Sequence, residues 1–326
     1  MILYSPPRPA THVPVIDLAG WRDADRRRAL ARALREACRD TGFFYVRNHG
    51  IPQELIEAQF ACAARFFALP LERKLQLHMN RSRSFAGYEP LAAQTLDTDS
   101  PPDLKESYYY SCDLPDDHPC VVAGIRGYGA NQWPDELVGF RDQMLAYYRA
   151  VRALGDRLLE LLALSLELPE KWFAPMFREA AGTVRLVRYP PHPPDARFNQ
   201  LGAGAHTDWG AITLLAQDDC GGLEVQNIAG DWIAAPPLAG TLVVNLGDLV
   251  QRWTNDIYRS TPHRVLNAGA HRDRYSVPFF YSPAHHVRIQ CLSTCVGPGN
   301  PPKYAPCTAG EHLMAMFNRT YGRKVA

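Results

Sequence analysis

The sequence predicts an α+β fold in which helices of the first half brace an antiparallel β core in the second. Two observations carry this. Apolar residues recur every three or four positions through residues 22–41, 52–69 and 135–167, the period of a helix with one buried face. From residue 183 the texture changes to short β-branched and aromatic runs divided by Gly, Pro, Asn and Asp, the pattern of an antiparallel barrel or sandwich. The chain has 326 residues, 46% of them hydrophobic, which is ample for a core, and no flexible linker separates the halves. A single domain over 1–326 is expected, with a mixed N-terminal region (1–132), a bracing helix and connection (133–182), a β core (183–295) and a C-terminal segment (296–326).

Taken in order, HVPVIDLAG (12–20) opens with a short strand. The helix over 22–41 buries Leu30, Ala33, Leu34, Ala37 and Cys38, and Gly42 stands where a helix stops. FFYVRNHG (43–50) reads as a strand ending in a turn. Pro52 suits a first helical position, and the second helix runs to Leu69, before Pro70. Residues 80–132 are irregular around the strand-like SYYYSCDL. The longest helix, 135–167, stops before Pro169. Eight strand-like runs follow: TVRLVRYP, AITLLAQD, GLEVQN, DWIAAPP, GTLVVNLGD, STPHRVLN, RYSVPFFYSP and HVRIQCL. A helix over 309–320 closes the chain.

Composition narrows the function. A formal net charge of +1 gives no overall field for nucleic acid or an anionic membrane, and Arg26-Arg27-Arg28 lies between acids, as on a solvated helix face. No apolar run approaches the ~18 residues of a membrane span, and the first residues do not form a signal peptide, so a cytoplasmic location is expected. The eight cysteines are scattered without a C-x-x-C pair, which speaks against a disulfide framework or a zinc cluster. Oligomeric state is not legible.

The triplet His206-Thr207-Asp208 in AHTDWG opens the chemistry. In a strand, residues two apart share a face, so this imidazole and carboxylate can chelate one ion; they can equally be a hydrogen-bonded pair. A third ligand decides. Two His and one carboxylate on one face of an octahedral ion leave positions open, the arrangement of non-haem Fe(II) oxygenases. His263, in the strand-like RSTPHRVLN, is the best placed; His192, His271, His285 and His286 lie in loops or turns and are the substitutes. Further on, Arg274 and Ser276 share a face of RYSVPFFYSP. A guanidinium fork with a hydroxyl beside it suits the far carboxylate of a dicarboxylate co-substrate, although a surface arginine would look the same.

In this order the pieces resemble the isopenicillin-N-synthase-like class of Fe(II)/2-oxoglutarate-dependent dioxygenases. The matching stretches are AHTDWGAITLLAQDDCGGLEVQ, GTLVVNLGDLVQRWTND, YRSTPHRVLN and RYSVPFFYSP, with VPVIDL, TGFFYVRNHGIP, FFALPLERK, DLKESYYY and VRLVRYPP upstream. The resemblance implies a distorted double-stranded β-helix, or jelly roll. It implies His206, Asp208 and His263 as iron ligands, Arg274 and Ser276 as holders of the distal carboxylate of 2-oxoglutarate, and Tyr189 as a further co-substrate contact. O2 would be the oxidant, and the products would be succinate, CO2 and a hydroxylated, desaturated or cyclised small molecule. It also implies a substrate pocket lined by Tyr108, Tyr110, Arg197, Phe198, Trp209, Trp253 and Phe280, with the C-terminal helix close by. Three alternatives stay open: an Fe(II) oxidase of the isopenicillin N synthase type that uses no 2-oxoglutarate, a non-catalytic jelly-roll metabolite- or metal-binding protein, and a zinc hydrolase, which would leave Arg274 and Ser276 unexplained.

Overall fold

The computed structural model describes residues 8, 10–97, 99–179, 182–197, 199–267 and 271–321. The first part of the chain forms β1 (Val15–Asp17), α1 (Ala24–Asp40), β2 (Phe43–Arg47), α2 (Gln53–Phe67), α3 (Leu71–Gln76), β3 (Gly87–Glu89), β4 (Glu106–Tyr110) and α4 (Pro119–Val122). The long α5 (Phe140–Ser165) and short α6 (Ala174–Phe177) lead to β5 (Thr183–Tyr189), β6 (Ala203–His206), β7 (Ile212–Gln217), β8 (Leu223–Gln226), β9 (Trp232–Ala234) and β10 (Thr241–Leu246). Then come α7 (Asp248–Trp253), β11 (His263–Val265), β12 (Arg274–Tyr281), β13 (Arg288–Ile289), β14 (Cys307–Thr308) and α8 (Ala309–Tyr321).

Local chemistry explains the helix ends. The Asp23 carboxylate caps α1 by accepting the Arg26 N–H at 2.8 Å. Gly42, at φ 65°, ends it by donating to the Ala37 carbonyl, a left-handed cap that a side chain would strain. The long helix starts later than its periodicity suggests, because Gly139 takes φ 77° just before it. It also ends earlier, where Glu167 turns left-handed.

Two sheets make the core. The eight-stranded sheet runs β1-β2-β10-β7-β12-β5-β4-β3, and the four-stranded sheet runs β6-β11-β8-β9. All eight anticipated strands are present, but the N-terminal region does more than brace them. It supplies both edges of the large sheet, β1 and β2 on one side and β3 and β4 on the other. The result is the jelly roll with packed helices that the resemblance implied.

Strand alternation divides the large sheet into two faces. One carries Tyr108, Tyr110, Leu186, Leu214, Val244 and Phe279 against α1, α2 and α5. Truncating one such aromatic costs about 3–5 kcal/mol. The other face turns Phe43, Tyr45, Val187, Tyr189 and Val243 toward Ala203, Leu223, Val225 and Val265 of the small sheet. The chemistry-bearing residues lie between this second face and the small sheet. All eight cysteines are free, and among the described residues no helix is long and apolar enough to cross a membrane.

Candidate metal and substrate site

Strands β6 and β11 pair antiparallel with His206 and His263 as direct register partners, which brings the ring centroids to 4.2 Å. Each Nδ1 faces a backbone carbonyl, that of Gly204 at 2.7 Å for His206 and that of Thr261 at 3.1 Å for His263. A carbonyl only accepts, so Nδ1 carries the proton and the Nε2 lone pair is presented to the centre. The Asp208 carboxylate completes the group. Its Oδ2 accepts from Thr213 Oγ1 at 2.6 Å and Asn245 Nδ2 at 2.7 Å, both on the large sheet. Its Oδ1 lies 4.0 Å from His206 Nε2 and 3.8 Å from His263 Nε2. The three donor atoms lie within 4.8 Å of one another, close enough for one cation to touch all three.

The backbone departs here from the expected strand alternation. β6 ends at His206, so strand alternation is not what sets Asp208 beside it. The chain bends through Trp209 and Gly210, the Asp248 N–H holds the Asp208 carbonyl at 2.8 Å, and Thr213 and Asn245 fix the carboxylate. Gly247 allows this close packing, since a Cβ there would meet the Gly210 carbonyl at 2.3 Å.

Electrostatics favour the ligating protonation state. Burial, reinforced by the neighbouring His263, pushes His206 down to about 3, against the attraction of Asp208. For Asp208 burial works upward, but the two imidazoles and the Asn245 and Thr213 hydrogen bonds prevail and hold the carboxyl below its ordinary range. Two imidazoles that present Nε2 and one carboxylate, with open space beside them, fit Fe(II).

A narrow cavity of about 60 Å³ leads from the triad to Arg274. On β12, Arg274, Ser276, Pro278 and Phe280 share the face that lines it. Arg274 is 1% exposed and stacks over the Tyr189 ring at 4.7 Å, and the two residues are register partners. Its Nε donates to the Gly221 carbonyl, and its Nη2 makes a long 3.4 Å contact to Gln217 Oε1. Its Nη1 is buried without a partner among the described residues. An orphaned buried donor costs about 1–3 kcal/mol, so this one marks where an acceptor belongs, and a carboxylate fits.

A second cavity, about 230 Å³, also reaches His206 and Asp208 and shares Leu96, Arg185 and Phe280 with the first. Leu96, Tyr109, Trp209, Phe280, Leu313 and Phe317 give it apolar walls, the last two from α8. Its cation is Arg185, held by Glu89 at 2.6 Å, Ser107 at 2.9 Å and Gln94 at 3.1 Å.

Of the anticipated pocket residues, Trp209 and Phe280 line this cavity, as does the C-terminal helix. Four others lie elsewhere. Tyr108 and Tyr110 are fully buried on the helix-facing side of the large sheet, because their parity on β4 is opposite to that of Tyr109. Trp253 is 1% exposed in the core, 5.1 Å from the Phe173 ring. Arg197 is exposed in a turn outside both cavities. Phe198 lies outside the described residues. Sequence reasoning passed over Tyr109 and Arg185, although alternation from Tyr189 reaches Arg185, which is the register partner of Tyr109.

Comparison with known proteins agrees with this geometry. Residues 13–136 match the family model described as non-haem dioxygenase in morphine synthesis N-terminal, and residues 181–283 match the 2OG-Fe(II) oxygenase superfamily. The chain is 39% identical to a 2-oxoglutarate-Fe(II) type oxidoreductase of Emericella nidulans, over 97% of this chain and 92% of that protein. A full-length Neurospora crassa protein, solved in complex with alpha-KG, is similar with a TM-score of 0.84 and 29% identity, over 94% of this chain and 96% of that one. The same Neurospora protein solved with alpha-KG and thymine gives a TM-score of 0.81. A 2OG-Fe(II) oxygenase family protein of Caulobacter crescentus matches with a TM-score of 0.84 and 32% identity, over 95% and 99% of the two chains.

Proposed function

The chain belongs to the 2OG-Fe(II) oxygenase superfamily, and from that premise we propose that His206, Asp208 and His263 hold its Fe(II) while Arg274, Ser276 and Tyr189 hold 2-oxoglutarate. The enzyme oxidises a small-molecule metabolite. When bound, Fe(II) with 2-oxoglutarate and O2 supplies the oxidation of a C–H bond, with release of succinate and CO2 and hydroxylation, desaturation or ring closure as the outcome.

The observation that carries the assignment is the division of labour within each ligand. Both Nδ1 atoms and the Asp208 Oδ2 are spent on fixing orientation, and both Nε2 atoms and Oδ1 are left for the cation. Arg274 supports the co-substrate reading through its buried, unpartnered Nη1 at the far end of the same cavity. Tyr189 lies beneath that guanidinium, which holds the planar fork in place for a carboxylate. Strand packing on both sides of the narrow cavity keeps water away from the reacting groups.

The substrate belongs in the 230 Å³ cavity, with Trp209 and Phe280 nearest the triad and Leu313 and Phe317 closing the outer side. Its apolar walls, with Arg185 and Gln94 as the polar anchor, suit a compact, mostly apolar or aromatic metabolite carrying a hydrogen-bonding group. The Neurospora crassa protein, which has been solved with thymine, lends support to a ligand of that size. Residues 1–326 serve as one dioxygenase domain on this reading, because strands from both matched segments build the large sheet.

The test is anaerobic reconstitution with Fe(II) and 2-oxoglutarate, followed by the weak visible charge-transfer band of the chelate. His206→Ala should abolish the band; a variant that keeps it would show the ligand assignment to be wrong. Substrate-dependent succinate release, screened over candidate metabolites, then separates this chemistry from a 2-oxoglutarate-independent oxidase.

A further inference from the structure

We propose that Lys105 binds the metal-end carboxylate of 2-oxoglutarate, the one beside the keto group, so that the co-substrate is gripped from both ends by side-chain cations. This rests on the 2-oxoglutarate reading of the site and adds a residue to it.

Lys105 stands apart from Lys74, the other buried lysine among the described residues. Lys74, with Glu106, Arg188, Asp273 and Tyr88, belongs to an ionic cluster whose members satisfy one another. Lys105 is 3% exposed, yet it lines the narrow cavity that also holds His206, Asp208, His263 and Arg274. An ammonium has three N–H donors. Among the described residues, that of Lys105 has one acceptor, the Asp103 carboxylate, and two of its donors have none. A buried ammonium with two unspent donors, in the same cavity as the orphaned Arg274 Nη1, is complementary to a ligand with two acceptor groups.

The position of Lys105 assigns it to the metal end. The other Asp103 oxygen accepts the Gly204 N–H at 2.9 Å, and the Gly204 carbonyl faces His206 Nδ1 at 2.7 Å. A short relay of hydrogen bonds therefore ties Lys105 to the imidazole of a proposed ligand. Arg274 is anchored instead to Gly221 and Gln217.

Charge bookkeeping says what Lys105 contributes. Two neutral imidazoles and one carboxylate leave a divalent cation with one surplus positive charge, Arg274 supplies another, and together they balance a dianion. Lys105 is already neutralised by Asp103. It adds no net charge; it adds direction, as a charge-assisted hydrogen bond that fixes the rotation of the chelating carboxylate.

The experiment is anaerobic titration of the Fe(II)-loaded protein with two probes, 2-oxoglutarate and 2-oxoglutaramate, its amide at the distal carboxyl, followed by the visible band and by calorimetry. Lys105→Met should weaken both probes by about tenfold or more. Arg274→Gln should weaken 2-oxoglutarate much more than the amide, which lacks the group that Arg274 holds. In turnover, Lys105→Met should raise KM for 2-oxoglutarate while iron content and KM for the metabolite are maintained, a split that general loosening of the fold would not give. Should Lys105→Met fold poorly because it strands Asp103, Asp103→Asn with Lys105→Met removes the charge pair together and keeps an acceptor for Gly204. Affinity within about twofold of wild type for 2-oxoglutarate, or a loss confined to 2-oxoglutarate and absent for the amide, would overturn the proposal. A wild-type protein with no band and no heat of binding would overturn the underlying site assignment along with it.

Discussion

The two ends of the active-site region are built from different kinds of backbone. At the proposed metal end, His206 and His263 stand on paired strands, Arg274 and Ser276 on a central strand, and Asp208 is clamped by Thr213 and Asn245 from two more. At the proposed substrate end, much of the wall comes from the segment around Met79–Phe85, the bend at Trp209–Gly210, the loop at His285 and α8. Sheet hydrogen bonding holds groups where metal chemistry needs them, whereas loops and a terminal helix can change to suit a substrate while the chemistry stays the same. Phe85 illustrates the second kind: a non-glycine residue at φ 57°, its ring lies 5.1 Å from Phe317 across the outer side of the cavity.

Four measurements would break or sharpen that contrast, and the largest effect belongs to the metal end. Asp208→Ala should empty the site of iron and lower substrate-dependent succinate release roughly 1,000-fold or more, because the one charged donor is gone; iron retention near stoichiometry would refute the role of this strand-supported carboxylate. Arg274→Gln comes next. Losing the fork should raise KM for 2-oxoglutarate roughly 100-fold while iron content is maintained, which steady-state kinetics beside metal analysis will show.

Third is the clamp on the carboxylate. Asn245→Leu with Thr213→Val leaves all three ligands in place and should still weaken iron binding roughly 10- to 100-fold, measured by competition with a chelator. If affinity is unchanged, sheet-borne rigidity is not what organises this end. The smallest effect is expected at the other end. Phe317→Ala should shift KM for the metabolite by less than about tenfold and leave 2-oxoglutarate affinity as in wild type. A matching loss of 2-oxoglutarate affinity would show the two ends to be one mechanical unit.

Much of the fold was legible in advance because long elements repeat their signal. The three long helices carry several turns of apolar period, and the eight strand-like runs stand out as β-branched and aromatic stretches between turn residues. α3, α4, α6 and α7 span four to six residues and offer too few positions for a period. β6 gave no strand-like run of its own because AGAH has almost no bulk to alternate. At the site, residue types sufficed to single out the proposed donors, since few side chains can ligate a cation or fork onto a carboxylate. They did not suffice for the wall. Tyr108, Tyr109 and Tyr110 are chemically alike, and only the pairing of Tyr109 with Arg185 places the middle one on the cavity face. Trp253 and Trp209 likewise differ in where the backbone points them, one into the helix-packed core and one beside the triad.

Taken by itself, the sequence determined which donors the protein owns, how far apart they lie along the chain and which helices and strands carry them, because residue chemistry and short-range periodicity are local properties. Only the tertiary structure decided which face of each strand looks inward, that Asp208 is held by Thr213 and Asn245 rather than by strand alternation, and that Lys105 and Arg274 share one cavity. Those facts depend on register between strands distant in sequence, where a slip of one residue turns every side chain to the opposite face.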